Sequence, residues 1–176
     1  MKTRWIWPAV AALMAVGLFG GNARAQQQTT TPGFAGKTLT TATFAEIDSH
    51  VVDEPQWQEL LKTHGRSDLF VQQNTWDAST CDAPCIPSTG WHTHSGPSLV
   101  IVTAGSVTVY DGDDPACTPH VYTADTPNNA FIDAGGGHVH IIRDESGAVA
   151  KTVAVQFIPA GATRRQDVPG PGNCPF

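Results

Sequence analysis

The stretch WHTHSGPSLVIVTAGSVTVY, Trp91–Tyr110, carries two signals. Its second half holds two β-branched runs, Leu99–Val102 and Val107–Tyr110, parted by Thr103-Ala104-Gly105, and reads as a hairpin around a glycine turn. Its first half is His92-Thr93-His94. In a strand, residues two apart share a face, so both imidazoles leave one side of the sheet. If that side faces inward, Ser98, Val100 and Val102 follow it, and apolar walls keep water from the histidines.

Outward from this stretch the chain is mostly short β segments: Thr38–Phe44, Asp68–Thr75, Trp91–His94, Ser98–Thr103, Ser106–Tyr110, His120–Thr123, Ala130–Asp133, Val139–Arg143 and Lys151–Ile158. Nearly all are bounded by Gly, Pro, Asn or Asp. The one helical candidate is Pro55–Lys62, where Trp57, Leu60 and Leu61 fall at i, i+3 and i+4, with Pro55 in the first turn and Gly65 as a stop. Many short strands leave a sandwich or a closed barrel as architectures, with at most one short peripheral helix. With 176 residues, one domain is the expectation, spanning 37–168.

Residues 1–25 read as a cleaved Sec signal peptide. Lys2 and Arg4 precede an apolar run from Ile6 to Gly21, and Ala23-Arg24-Ala25 makes a cleavage site after Ala25. The rival reading, a retained anchor, meets a run short of the roughly 20 apolar residues a spanning helix needs. Residues 26–36, rich in Gln and Thr, read as a polar lead-in without regular structure. The signal peptide implies a periplasmic or secreted protein.

The formal net charge is −6; without Lys2, Arg4 and Arg24, seven basic residues face 16 acidic ones. An acidic surface repels phosphate backbones and anionic headgroups, which argues against nucleic acid, and against membrane once the leader is gone. Four cysteines in an exported chain suggest two disulfides. Three pairings are open. Cys81 and Cys85, four apart around Pro84, favour closing their own loop, which leaves Cys117 and Cys174 to tie the 169–176 tail to the body. The functional alternative, metal or redox chemistry, lacks a partnering C-x-x-C.

Four of the seven histidines form two i, i+2 pairs, His92/His94 and His138/His140. A divalent transition metal is held by several such nitrogens at about 2.0–2.2 Å, and closing a barrel brings strands distant in sequence together to supply them. The glycines before His138 break strand regularity and place it at the rim. His50, His64 and His120 read as solvated, and Trp76 and Trp91 as packing.

Over about residues 68–158 the sequence resembles the cupin superfamily, with motifs G-x5-H-x-H-x3–4-E-x6-G and G-x5-P-x-G-x2-H-x3-N. His92, His94 and Gly105 match the first; Gly137, His140 and Asp144 follow the second, with Asp for its Asn. Ser98 and Leu99 stand where the glutamate belongs, Gly135 where the proline belongs, and Ile86 where the opening glycine belongs.

The resemblance implies an all-β, cupin-type jelly-roll β-barrel with His92, His94 and His140 as ligands of one divalent transition metal: iron, manganese, zinc or copper. An uncompensated +2 charge favours a small, anionic ligand or substrate. A dioxygenase or an isomerase is the enzymatic expectation; a non-catalytic metal- or ligand-binding module is the alternative. His138 and Tyr110 are the candidate proton-transfer groups. A homodimer through a sheet edge is a further expectation.

Overall fold

The structure, a computed structural model, describes residues 30–53 and 57–176. The leader expected over 1–25, the lead-in up to 29 and Pro55 lie outside the described residues.

Two five-stranded antiparallel sheets make up the body. The first contains β1 (Phe34–Phe44), β4 (Ser67–Trp76), β6 (Ser98–Ala104), β9 (Ala130–Asp133) and β11 (Ala150–Pro159), in the order β1-β4-β11-β6-β9. The second contains β5 (His92–Thr93), β7 (Ser106–Asp111), β8 (His120–Thr123), β10 (His140–Arg143) and β12 (Gln166–Asp167), in the order β12-β5-β10-β7-β8. A separate hairpin pairs β2 (Asp48–Asp53) with β3 (Trp57–Lys62). The protein is all-β, and a 3-10 turn at Ala78–Thr80 is the only helical element among the described residues.

Alternation along β6 explains why the sheets stack. Ser98, Val100 and Val102 are buried while Leu99, Ile101 and Thr103 are exposed, the parity that the two-residue repeat predicts. Val102, Trp76 and Ala150 of the first sheet pack against Val107, Val109 and Ile142 of the second in one apolar cluster. This is a two-layer jelly roll with its core between the layers.

Four expectations are corrected. No ladder joins the two sheets among the described residues, so the barrel is not closed. The runs flanking Gly105 are not a hairpin: β6 pairs with β11 and β9, whereas β7 pairs with β10 and β8. At Gly105 the chain turns a corner between sheets, so close to Val149 that a Cβ would lie 2.7 Å from its carbonyl oxygen. Both β-branched runs then reach the same core from opposite layers, which repeated burial favours as strongly as a ladder would.

The expected helix over Pro55–Lys62 is a strand from Trp57 onward. Trp57, Leu60 and Leu61 are all exposed, so no apolar surface rewards the helical spacing. Pairing with β2 satisfies the backbone instead, and Lys62 donates to Asp48 at 2.7 Å across the ladder. A segment this short has little helical stability of its own. Regular structure also begins earlier than expected, at Phe34, whose ring packs at a tilt against Trp76 with centroids 5.1 Å apart.

The outer face of the second sheet is covered by the C-terminal tail. Trp91, Tyr110, Ile141 and Cys174 form a second apolar cluster, and Phe176 lies beneath the Arg143 guanidinium at 3.6 Å. Cys117–Cys174 staples the tail, and Cys81–Cys85 closes its own loop; both pairings are those the spacing favours. No helix among the described residues is long and apolar enough to cross a membrane.

Candidate metal centre

His92 and His140 are direct partners in the β5–β10 ladder, on the inner face of the second sheet, with ring centroids 4.2 Å apart. His94 follows just past the end of β5, 4.8 Å from His92 and 5.4 Å from His140 by ring centroids. One ligand nitrogen from each of the three lies within 4.8 Å of the others. The first His pair thus keeps its expected shared side, and the strand that sequence places far away supplies the third ring.

Backbone carbonyls orient two of the rings. His92 Nδ1 donates to Gly90 at 2.8 Å, and His94 Nδ1 donates to Arg164 at 2.8 Å. A neutral imidazole has one N–H, so this leaves each Nε2 as a lone pair available to a metal. His140 Nε2 is buried and meets no hydrogen-bond partner.

Burial depresses all three basicities. His92 is pushed well below the usual histidine range by burial and then by the nearby His140, Arg165 and His94; burial lowers His94 as well. His140 falls to about 4, again chiefly through burial. The rings are therefore neutral at neutral pH, the state a metal ligand needs. Neutral imidazoles in a largely buried group, two of them oriented by carbonyls so that Nε2 is left as a lone pair, fit a divalent transition metal.

The turn before His140 explains how it is delivered. Gly135, Gly136 and Gly137 all have positive φ, and a Cβ on Gly135 would lie 2.2 Å from the Gly96 carbonyl oxygen. Gly137 N–H reaches the His94 carbonyl at 3.4 Å, so this loop and the His94–Gly96 loop are packed together. Glycine stands in place of a fixed proline ring because the second loop leaves no room for a side chain.

A cavity of about 210 Å³ opens onto the three histidines. Phe34, Val100, Phe131 and Ile142 give it apolar walls; Gln72, Asn74 and Gln156 give it carboxamides; Arg164 and Arg165 bring positive charge. Arg165 is paired with Asp167 at 2.6 Å. Arg164 bonds the Gln72 side chain and faces no carboxylate among the described residues. Ser98 is buried beside the site, where its Oγ accepts from Gln156 at 3.2 Å.

The remaining expected residues divide. His138 is partly exposed, its Nε2 3.5 Å from Asp111 and its Nδ1 3.6 Å from Asp133, at the outer margin of the histidine group. Tyr110 is on the wrong face, which corrects its expected role. It pairs with Ile141 in the β7–β10 ladder, so both point away from the layer that His140 enters, and its hydroxyl donates to Glu145 at 2.9 Å. His50, His64 and His120 are exposed, and Trp76 and Trp91 are core.

Sequence reasoning missed Asp133, Arg164 and Gln156. Asp133 is 5 % exposed, and its carboxylate lies 3.6 Å from His94 and 3.6 Å from His140. Only the β6–β9 register, which pairs it with Ser98, reveals it.

Protein-family models give no match to the chain, and neither do curated proteins. Among solved structures it is similar to a cupin superfamily protein from Desulfitobacterium hafniense, with TM-score 0.40 and 10% identity over 70% of this chain and 82% of that one. It is also similar to Peruvianin-I, a cysteine peptidase from Thevetia peruviana latex, with TM-score 0.42 and 20% identity over 57% of this chain and 56% of that one. An oxalate oxidase in complex with the substrate analogue glycolate gives TM-score 0.39 and 14% identity over 50% of this chain and 41% of that one. Independently of these neighbours, His92, His94 and His140 converge between the layers of the jelly roll.

Proposed function

We propose that this is an exported cupin-type protein that holds one divalent transition metal through His92, His94 and His140 and binds a small anionic molecule beside it. The observation that carries the reading is the convergence of three imidazoles, His92 and His140 buried and His94 half-buried, each with a ligand nitrogen within 4.8 Å of the others. A neutral donor set leaves the ion's charge to attract an anion. Arg164, with no acid against it among the described residues, lines the same cavity and adds to that attraction. Asn74 and Gln156 each bring a buried carboxamide oxygen without a partner, suited to a ligand that also donates a hydrogen bond. At about 210 Å³ the cavity selects for a small molecule.

Bound there, an iron or copper ion would supply oxygen chemistry, and a zinc ion a water of lowered pKa. The residues around it orient the ligands, exclude water through Val100, Phe131 and Ile142, and hold an anion against Arg164. A dioxygenase or an isomerase is the enzymatic form of this reading. Two disulfides agree with an oxidising compartment and so with export.

The test is metal analysis of the mature protein, purified without a histidine tag under iron, manganese, zinc and copper supplementation. The wild type is expected to retain near-stoichiometric metal and the His92→Ala/His94→Ala variant almost none; equally little metal in both sinks the reading. Oxygen uptake and product formation with small acids, thiols and diketones then separate an enzyme from a non-catalytic binder.

A further inference from the structure

Asp133 ends β9 on the first sheet, across the interlayer space from His92 and His140 on the second. Its side chain is 4 % exposed. Oδ1 accepts the Gly135 N–H at 3.1 Å and lies 3.6 Å from His140 Nδ1. Oδ2 is buried without a hydrogen-bond partner and lies 3.6 Å from His94 Nε2.

That last contact is chemically incomplete. His94 has spent its N–H on the Arg164 carbonyl, so in the neutral ring Nε2 presents a lone pair to a carboxylate oxygen. Two acceptors face each other in a dry interior, where an uncompensated carboxylate is costly. No Lys or Arg forms an ion pair with Asp133 among the described residues. A cation between the two groups would turn repulsion into coordination. Ligand atoms bound at about 2.0–2.2 Å to one ion lie roughly 3.0–3.5 Å apart, close to the separation seen here.

We propose that Asp133 is a fourth protein ligand, making the centre three histidines and one aspartate, with the carboxylate supplied from β9. Its ladder partner on β6 is Ser98, the residue that stands where the resemblance leads one to expect a glutamate. The acid stands on the strand next to that position. The carboxylate cancels one unit of the ion's charge, leaving the other unit, with Arg164, to attract an anion, and ties the first sheet to the second through the metal. His138, partly exposed but with its Nδ1 buried 3.6 Å from Asp133 Oδ1, adjoins the carboxylate as well. This assignment rests on the three-histidine reading above.

The experiment measures zinc affinity by chelator competition on metal-free mature protein, for wild type, Asp133→Asn, Asp133→Asn/Ser98→Glu and His92→Ala/His94→Ala. Asparagine keeps an oxygen for the Gly135 N–H, so the turn is preserved while the charge is removed. Asp133→Asn is expected to weaken zinc at least tenfold and to shift the cobalt(II) absorption bands. A carboxylate restored from the adjacent strand by Ser98→Glu is expected to recover most of that affinity.

A crystal structure of the zinc-loaded wild type reads the assignment without any variant, and an Asp133 oxygen about 2.0–2.2 Å from the ion is the expected result. Zinc bound by wild type with Asp133 beyond coordination distance, or a loss under tenfold in Asp133→Asn, overturns it. If the double-alanine variant abolishes binding while Asp133→Asn does not weaken it, only this assignment falls. If the double-alanine variant binds zinc like wild type, the three-histidine reading falls first.

Discussion

His140 sits in a position that favours its neutral form so strongly that it becomes a sensor of acid in the metal-free protein. Burial lowers it to about 4 in the folded state, against the ordinary value near 6.5 when unfolded. Between those values the unfolded chain binds the extra proton and the folded chain does not. Stability is therefore full above about pH 6.5, declines as pH falls toward about 4, and stops responding to this residue below that. Each such histidine contributes a slope of up to about 1.4 kcal/mol per pH unit. His92 and His94 are lowered too and act in the same direction. Urea midpoints of metal-free protein at pH 7.5, 5.5 and 4.5 should fall more steeply for wild type than for His140→Gln; parallel curves would contradict the burial argument. In the metal-loaded protein, acid acts twice, since protons also compete with the ion for the ring nitrogens.

Among elements, the glycine turn between β9 and β10 positions both His140 and Asp133, and two neighbouring glycines separate its causes. Gly135 and Gly136 both have positive φ, so alanine at either strains the backbone by about 1 kcal/mol. Only at Gly135 does a Cβ also collide with backbone, 2.2 Å from the Gly96 carbonyl oxygen; at Gly136 nothing lies within 4 Å. Gly135→Ala should cost about 2–3 kcal/mol or more and weaken metal binding, while Gly136→Ala costs about 1 kcal/mol and leaves metal affinity intact. Denaturation curves and zinc titrations of the two variants check this, and equal losses would mean that φ alone matters.

The same scale shows what was legible in the sequence. Alternation from Ser98 to Val102 identified both the strand and its buried side, because it depends on one strand's own geometry. Pairing was a different matter. The runs on either side of Gly105 are locally indistinguishable from a hairpin, and only β10 and β11, some forty residues away, decide that they part. Trp57, Leu60 and Leu61 have helical spacing, yet the spacing acts only when there is a surface to bury against. His92, His94 and His140 were readable from motif spacing, whereas Asp133 owes its place to cross-strand register with Ser98 and Tyr110 loses its role through register with Ile141.

For the whole molecule, the position of the proposed site between layers would make metal binding a matter of stability. His92 and His140 belong to the second sheet, while the cavity's far wall, with Ser98, Gln156 and Asp133, belongs to the first. The apolar cluster of Trp76, Val102, Val107 and Ile142 holds the layers together at one level. At the level of the histidines the interior is polar, with His140 Nε2, Gln156 Oε1 and Asp133 Oδ2 all lacking hydrogen-bond partners, each a desolvation cost to the metal-free fold. An ion held at the proposed centre would recover part of that cost, and because the unfolded chain has no assembled site, its binding energy would become folding energy. At a free metal concentration about 100 times the dissociation constant, the gain is about 2.7 kcal/mol, or roughly 5–10 °C in melting temperature for a chain of this size. Calorimetry of metal-free wild type with and without added zinc should show that rise, and His92→Ala/His94→Ala should show none. Equal rises in both would place zinc away from His92 and His94, since the exposed His50, His64 and His120 and the group Asp133, His138 and His140 all remain in the variant.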